Sequence, residues 1–346
     1  MSTLIAGDVG NVNTKLRKCG GPWSVEPSLV RTPGTGGYSL TEEAGPRPIV
    51  YLEGPAKLPA TPFLVGADAQ RYGATDLAIV GSAEARVRSD AYLVLHLYLI
   101  VASLPAGATE AVVDFAGGLP AVDAGNRSVA EALRGRLNGL HRLTWGGVEY
   151  SITVRRTLFV SQPVAALATL MFDPSGRVLA NGALKRKRFG LDIGGGTTDF
   201  TGRVGLDLIP GTEGGVRSGV FEAARRAREL VQQRHPRLRN LSDGDVLAVL
   251  RDPAQSIYLE GTPLDVSAEI ELGVRQASAG ILAEVLPRWE RHLEGGEVLL
   301  FGGGGERMAG SVSSELAALT RVTLLPDPIY RIAEGTERIA RNRLTA

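Results

Sequence analysis

Two short segments of this chain carry residues of matching type at matching spacing. Asp8-Val9-Gly10-Asn11-Val12-Asn13-Thr14 and Asp192-Ile193-Gly194-Gly195-Gly196-Thr197-Thr198 both read D-[VI]-G-x-x-x-T. Glycine lets backbone N–H groups come close to phosphate oxygens, and Thr or Asn side chains add donors. The two acids cannot grip phosphate themselves, because like charges repel. They suit the water shell of Mg²⁺, an ion that keeps most of its waters and is shared between carboxylate and phosphate. Asp8 and Asp192 are therefore expected to hold Mg²⁺ through water.

Each segment follows an apolar strand, Leu4 to Ala6 or Phe189 to Leu191, and each is followed by residues that alternate as the second strand of a hairpin does. The chain thus reads as duplicated, with one acidic glycine-rich turn in each half. Asn13 to Cys19 is the returning strand of the first half. Further strands are expected at Val112 to Phe115, which runs into a turn at Gly117-Gly118-Leu119-Pro120, at Val148 to Val154, at Thr157 to Val160 and at Val298 to Phe301. Helical spacing links Val220, Phe221, Ala224, Ala227, Leu230 and Val231, and again Val274, Ala277, Ile281, Val285 and Trp289, where Pro287 is a place for a bend. The mixture predicts an α/β protein. Pro and Gly between Thr32 and Thr61 suggest long loops.

At 346 residues, two domains around a shared cleft are expected. A net charge of +1 gives no electrostatic case for direct nucleic-acid binding. Lys185-Arg186-Lys187-Arg188, the one basic run, reads as a solvated hairpin. Cys19 is the sole cysteine, and the histidines His96, His141, His235 and His292 are scattered, so neither a disulfide nor a metal cluster of these residues is expected. The single cysteine fits a reducing cytoplasm. Met1 to Asp8 does not read as a signal peptide, and Ala91 to Leu104, too short to span a membrane, reads as a buried helix. Neither Gly302 to Gly305 nor Gly214-Gly215 fits G-x-G-x-x-G, and no Gly-Lys pair occurs, which disfavours Rossmann and Walker-A sites.

The chain resembles the superfamily of actin, sugar kinases and 70-kDa heat-shock chaperones. Asp8 to Lys15 is similar to its first phosphate loop and Asp192 to Asp199 to its second. Ser161-Gln162-Pro163-Val164-Ala165-Ala166 resembles the first connecting segment, Leu300-Phe301-Gly302-Gly303-Gly304-Gly305 the adenosine motif, and Ala333-Glu334-Gly335 lies where the second connecting helix is expected. Within the superfamily, Asp8 to Lys15, Phe63 to Gly66, Gly117 to Pro120 and Asp327 to Tyr330 resemble the prokaryotic and archaeal actin-like proteins typified by the plasmid-segregation protein ParM.

The resemblance implies an actin-like two-domain fold of duplicated ribonuclease H-like domains around a central nucleotide cleft. Residues 1–162 and 327–346 would form domain I, with a smaller subdomain inserted at roughly 25–110, and residues 163–326 would form domain II. It also implies a cytoplasmic, Mg-dependent, slow ATPase that assembles into filaments, with a DNA-binding adaptor where the cargo is a plasmid. Phosphoryl-transfer chemistry needs phosphate donors, a metal and a group that orients water. Gly10, Asn11, Asn13, Thr14 and Lys15 would hold the phosphates of ATP from one side, and Gly194, Gly195, Gly196, Thr197 and Thr198 from the other, with Asp199 nearby. Gln162 is the candidate to orient the attacking water, or else caps the helix at Pro163. Gly302, Gly303, Gly304, Gly305, Gly214 and Gly215 would pass close to adenosine. A small-molecule kinase of the same fold is the competing reading, though the sequence shows no acceptor-binding motif.

Overall fold

The computed structural model of the chain describes residues 2–32, 45–71, 83–180, 182–252 and 255–344. They fall into two units, Met1–Leu179 with Ile332–Ala346, and Ala180–Arg331. Residues 33–44 of the loops expected over Thr32 to Thr61 lie outside the described residues.

In the first unit β1 (Thr3–Val9) turns back as β2 (Asn13–Arg17), which pairs with β3 (Trp23–Pro27). β4 (Val30–Arg31), β5 (Ile49–Glu53) and β6 (Pro62–Val65) follow, then helices α1 (Gly66–Arg71), α2 (Ala83–Arg88) and α3 (Asp90–Ala102). β7 (Glu110–Leu119) leads through α4 (Ala121–Gly125) and α5 (Arg127–Leu137) to the hairpin β8 (Gly139–Trp145) and β9 (Val148–Ser161), and then to α6 (Gln162–Ala168). The described strands join in one nine-stranded sheet of order β3-β2-β1-β7-β9-β8-β5-β6-β4. The apolar stretch at Ala91 to Leu104 forms α3. Its N-terminus is capped by Ser89, whose side chain accepts the Tyr92 N–H, and Tyr92 to Val101 are buried on every face, as an all-round apolar helix requires.

Two expectations change here. Gly117 and Gly118 lie inside β7 rather than in a turn after it. The strands expected at Val148 to Val154 and Thr157 to Val160 are one continuous strand, β9. It accommodates an irregularity after Val113, where Asp114 pairs with Arg156, and both Arg155 and Arg156 reach the Asp114 carboxylate. Those guanidiniums hold Asp114 well below the usual carboxylate range.

In the second unit come β10 (Lys187–Ile193), β11 (Thr198–Val204), β12 (Asp207–Leu208), β13 (Gly214–Val216), α7 (Val220–Arg234), α8 (Asp243–Arg251), the hairpin β14 (Ile257–Leu259) and β15 (Thr262–Leu264), α9 (Ser267–Trp289), β16 (Glu297–Phe301), α10 (Gly305–Leu316) and β17 (Arg321–Leu324). Helix α11 (Arg331–Leu344) carries the chain back into the first unit. The expected helical spacings are realised: Val220, Ala224, Ala227 and Val231 bury one face of α7, and Ala277, Ile281, Val285 and Trp289 one face of α9. The basic run is not a solvated hairpin throughout. Lys187 and Arg188 belong to β10, and Arg188 is buried, paired with Glu297 at 3.0 Å and donating to the Ala183 carbonyl.

The duplication is explicit in the strand order. β3-β2-β1-β7-β9 and β12-β11-β10-β16-β17 run alike, three antiparallel strands followed by two parallel neighbours of the first. The first unit also holds α6 past the expected boundary at Gln162. Gly335 of α11 lies so close to the Ala165 carbonyl of α6 that any Cβ would overlap it, and Arg338 donates to the carbonyls of Thr169 and Phe172. The two helices can touch backbone to backbone only because residue 335 is glycine.

Candidate functional site

The first loop is built by the β1–β2 hairpin. The Gly10 N–H donates to the Asn13 carbonyl at 3.1 Å, which sets Asp8 opposite Lys15 and Val9 opposite Thr14. Asp8 is fully buried and both its oxygens are engaged. Lys15 Nζ donates to Oδ2 at 2.9 Å, and Gln162 Nε2 donates to Oδ1 at 2.7 Å. Gln162 opens α6 with Pro163 in the first turn, and its side chain reaches Asp8 instead of capping the helix. Gly118 is adjacent to both. A Cβ there would stand 2.8 Å from Asp8 Oδ1 and 3.0 Å from Gln162 Cγ, closer than packed atoms tolerate, which explains a glycine inside a strand.

Gly10, Asn11, Asn13 and Lys15 are partly exposed. Thr14 is not. A strand alternates its faces, so Thr14 turns inward with Leu16 while Asn13, Lys15 and Arg17 turn outward. The Thr14 hydroxyl lies 3.0 Å from that of Ser28, and Ser28 in turn donates its hydroxyl to the Gly10 carbonyl at 2.6 Å and its N–H to the Val12 carbonyl at 2.8 Å. The expectation that Thr14 presents its hydroxyl to phosphate is thus corrected. Thr14 and Ser28 brace the loop from behind.

The second loop repeats this construction. Gly194 N–H donates to the Thr197 carbonyl at 2.8 Å, Asp192 faces Asp199, and Ile193 faces Thr198. Thr198 is again fully buried, donating its hydroxyl to the Ser218 carbonyl at 2.8 Å, so it too is a brace. The carbonyls of Gly194 and Gly195 accept the N–H groups of Val220 and Phe221 at 3.2 and 2.8 Å, satisfying donors at the start of α7 that have no partner within the helix. Because a trans peptide sets its N–H opposite its C=O, those bonds aim the Gly195 and Gly196 N–H groups away from α7. Gly196 and Thr197 are partly exposed.

The glycine run 302–305 is tied to this loop. Gly304 N–H donates to the Ile193 carbonyl at 2.8 Å, and Gly302 N–H to that of Pro328 at 3.0 Å. Gly302 has φ +87°, and a Cβ on it would overlap the Asp192 carboxylate, so only glycine fits on both counts. Gly303 is exposed, while Gly305 is buried at the first turn of α10. Gly214 and Gly215 lie in β13, not in a turn. Gly215 pairs with Asp199, and Gly214 packs against the Phe200 ring.

The braces Ser28 and Ser218 and the packing role of Gly118 were not anticipated. Ser28 sits outside the D-x-G pattern and carries no sequence signal of its own. Among the described residues no three His, Cys, Asp or Glu cluster as metal ligands, and no helix is long and apolar enough to cross a membrane. His141 is spent on structure, 3.1 Å from the Tyr51 hydroxyl and 2.7 Å from the Leu137 carbonyl. His96 donates Nδ1–H to the Tyr92 carbonyl at 2.8 Å, and burial pushes its pKa down to about 4.

Residues 6–164 match the family described as the N-terminal domain of actin-like proteins, and the chain as a whole has the actin-like fold. The fold is thus that of actin-like proteins, and ParM is among the structures it resembles. Apo psk41 ParM superposes with a TM-score of 0.70 at 17% identity, covering 97% of this chain and 96% of that one. The archaeal actin homologue Ta0583, solved in complex with ADP, gives 0.72 at 13% over 97% and 98%. ParM from a 15-stranded filament of Clostridium botulinum gives 0.73 at 14% over 99% of each chain. No curated protein matches in sequence.

Proposed function

We propose that the chain binds Mg-ATP through its two acidic loops, hydrolyses it slowly, and assembles into filaments according to the nucleotide bound. The observation that carries this reading is the loop built twice on the same register, with a carboxylate at the end of each leading strand and donors at each tip. The likeness to a homologue solved with ADP and to a ParM filament supports it.

In this reading the backbone N–H groups of the first loop, with Asn11, Asn13 and Lys15, hold the phosphates from one side. The N–H groups of Gly195 and Gly196, with Thr197, hold them from the other. Gly302 to Gly305, with Gly214 and Gly215 beside Asp199, would line the adenosine. Mg²⁺, held through water by Asp8 and Asp192, would supply neutralisation of the phosphate charge. The donor set fits such an ion: each Asp8 oxygen accepts one hydrogen bond and keeps a second lone-pair site. Lys15, now paired with Asp8, is the cation that would turn to the phosphates. Gln162 would orient water from its place beside Asp8, and a neutral amide is a weak base, which accounts for slow turnover. With a net charge of +1, a link to plasmid DNA would run through an adaptor, and the setting would be the cytoplasm.

The test is sedimentation and negative-stain microscopy with ATP, a nonhydrolysable analogue and ADP, alongside phosphate release. Asp8→Ala and Asp192→Ala should each abolish Mg-dependent release. Monomers in every nucleotide state, or both variants active, would overturn the reading, and phosphoryl transfer to a small-molecule alcohol would replace it with a kinase.

A further inference from the structure

The second unit holds a cavity of about 700 Å³, within the usual range for small-ligand pockets, in a part of the chain that the phosphate loops do not reach. It opens between α8, the β14–β15 hairpin, the N-terminal half of α9 and the outer side of α10. Its wall is apolar, with Ile270 and Val274 one turn apart on α9 and Leu264 on β15, all only partly buried. Apolar side chains of a concave wall left half-wet favour an apolar occupant.

Polar groups converge on the same space. Arg275 and Arg307 line it, and neither pairs with a carboxylate among the described residues. Arg307 donates one guanidinium N–H to the Arg251 carbonyl, and among the described residues Arg275 makes no hydrogen bond or ion pair. The Ser311 hydroxyl, shielded from solvent on α10, has no hydrogen-bond partner among them. The cavity also holds the N-terminus of α9, which no side chain of its N-cap Val266 satisfies, and which carries partial positive charge. Two acids border it. Asp265 is already committed to the N–H and hydroxyl of Ser267, and Glu271 is exposed at the rim.

We infer that this cavity is a ligand site for a small amphipathic organic anion, whose apolar body lies on Ile270 and Val274 and whose carboxylate or comparable head is taken by Arg275, Arg307 and Ser311. Arg307 follows two residues after Gly305, so an occupant that draws on Arg307 acts on the helix that the glycine run at Gly302 to Gly305 leads into. The inference stands apart from the nucleotide reading, because it uses none of the loop residues.

The probes are 8-anilinonaphthalene-1-sulfonate, followed by fluorescence, and decanoate, followed by calorimetry and by displacement of the dye, on the full chain without nucleotide. One saturable dye site displaced by decanoate is expected. Arg275→Glu, an exposed substitution that leaves the core alone, should weaken decanoate at least tenfold, and Val274→Asp should remove it. Circular dichroism on both variants establishes that they are folded. If Val274→Asp fails to fold, Arg275→Glu and Ser311→Ala decide. Absence of a saturable site, affinity unchanged in Arg275→Glu, or decanol binding as tightly as decanoate would overturn the proposal.

Discussion

Asp8 and Asp192 occupy equivalent positions, yet neutralising them should have unequal effects on stability. Asp8 is fully buried and accepts from Lys15 at 2.9 Å and from Gln162 at 2.7 Å. Asp8→Asn keeps the shape but turns one acceptor oxygen into an N–H donor, which must then face the Lys15 ammonium or the Gln162 amide. It also strands the charge of Lys15, whose side chain is only 11% exposed. Removing one partner of a buried ion pair costs roughly 3–5 kcal/mol, and the low end applies here because Lys15 can turn toward water. At about 2–4 °C per kcal/mol for a unit of this size, the melting point should fall by roughly 6–12 °C. Asp192 instead stands directly across the hairpin from Asp199. A facing carboxylate supplies no counter-charge of the kind Lys15 gives Asp8, so Asp192→Asn should cost less than Asp8→Asn. Thermal melts of nucleotide-free protein measure the difference. Hydrogen exchange then assigns it to a unit, since a chain of two units need not unfold in one step. An Asp8→Asn melt within about 1 °C of wild type, or a larger loss for Asp192→Asn, would refute the reasoning.

Gln162→Ala should slow phosphate release far more than it weakens nucleotide binding, since a water-orienting group acts mainly in the transition state; equal losses in single-turnover and binding assays would assign Gln162 a structural role. Gly118→Ala places a methyl 2.8 Å from Asp8 Oδ1 and 3.0 Å from Gln162 Cγ, and overpacking of this kind should cost about 1–3 kcal/mol together with most of the hydrolysis, read from denaturant midpoints and phosphate release. His96 binds its proton less readily in the folded chain, with a pKa of about 4 against an ordinary 6.5. The folded state therefore takes up fewer protons than the unfolded one between those values, and stability falls as pH falls through the window, by about 3 kcal/mol at its lower end. Comparing the pH dependence of the urea midpoint for wild type and His96→Leu checks this, and parallel curves would refute it.

The hairpins were legible because a D-x-G turn between apolar strands has few other meanings, and α3 because ten consecutive buried residues leave no other arrangement. The inward turn of Thr14 was missed although the sequence carried a signal for it. Leu16 shares its face by strand alternation, and Phe200 does the same for Thr198, so the apolar residue two positions on identifies each threonine as a brace. What local pattern could not supply were contacts made across long stretches of chain. Gly118 is a strand residue whose reason is Asp8 and Gln162, and Gly335 a helix residue whose reason is the Ala165 carbonyl. The continuity of β9 was hidden for a related cause. Arg155 and Arg156 interrupt the apolar alternation, and their explanation is the single carboxylate of Asp114 on the neighbouring strand.

The duplicated backbone makes the difference between the two loops informative. Turn closure, register, inward threonine and parallel neighbour are the same in both. The residue opposite the acid is not: Lys15 neutralises Asp8, whereas Asp199 adds to the charge of Asp192. A loop carrying its own counter-ion can hold its shape and approach an anion without help. The second loop has no lysine at that position, so its approach to an anion rests on the backbone N–H groups that α7 aims. On the proposed function the halves therefore divide the work. The first contributes the ammonium of Lys15 and the amide of Gln162, and the second contributes backbone N–H groups aimed by α7, with Gly302 and Gly215 keeping backbone rather than side chains against its two acids.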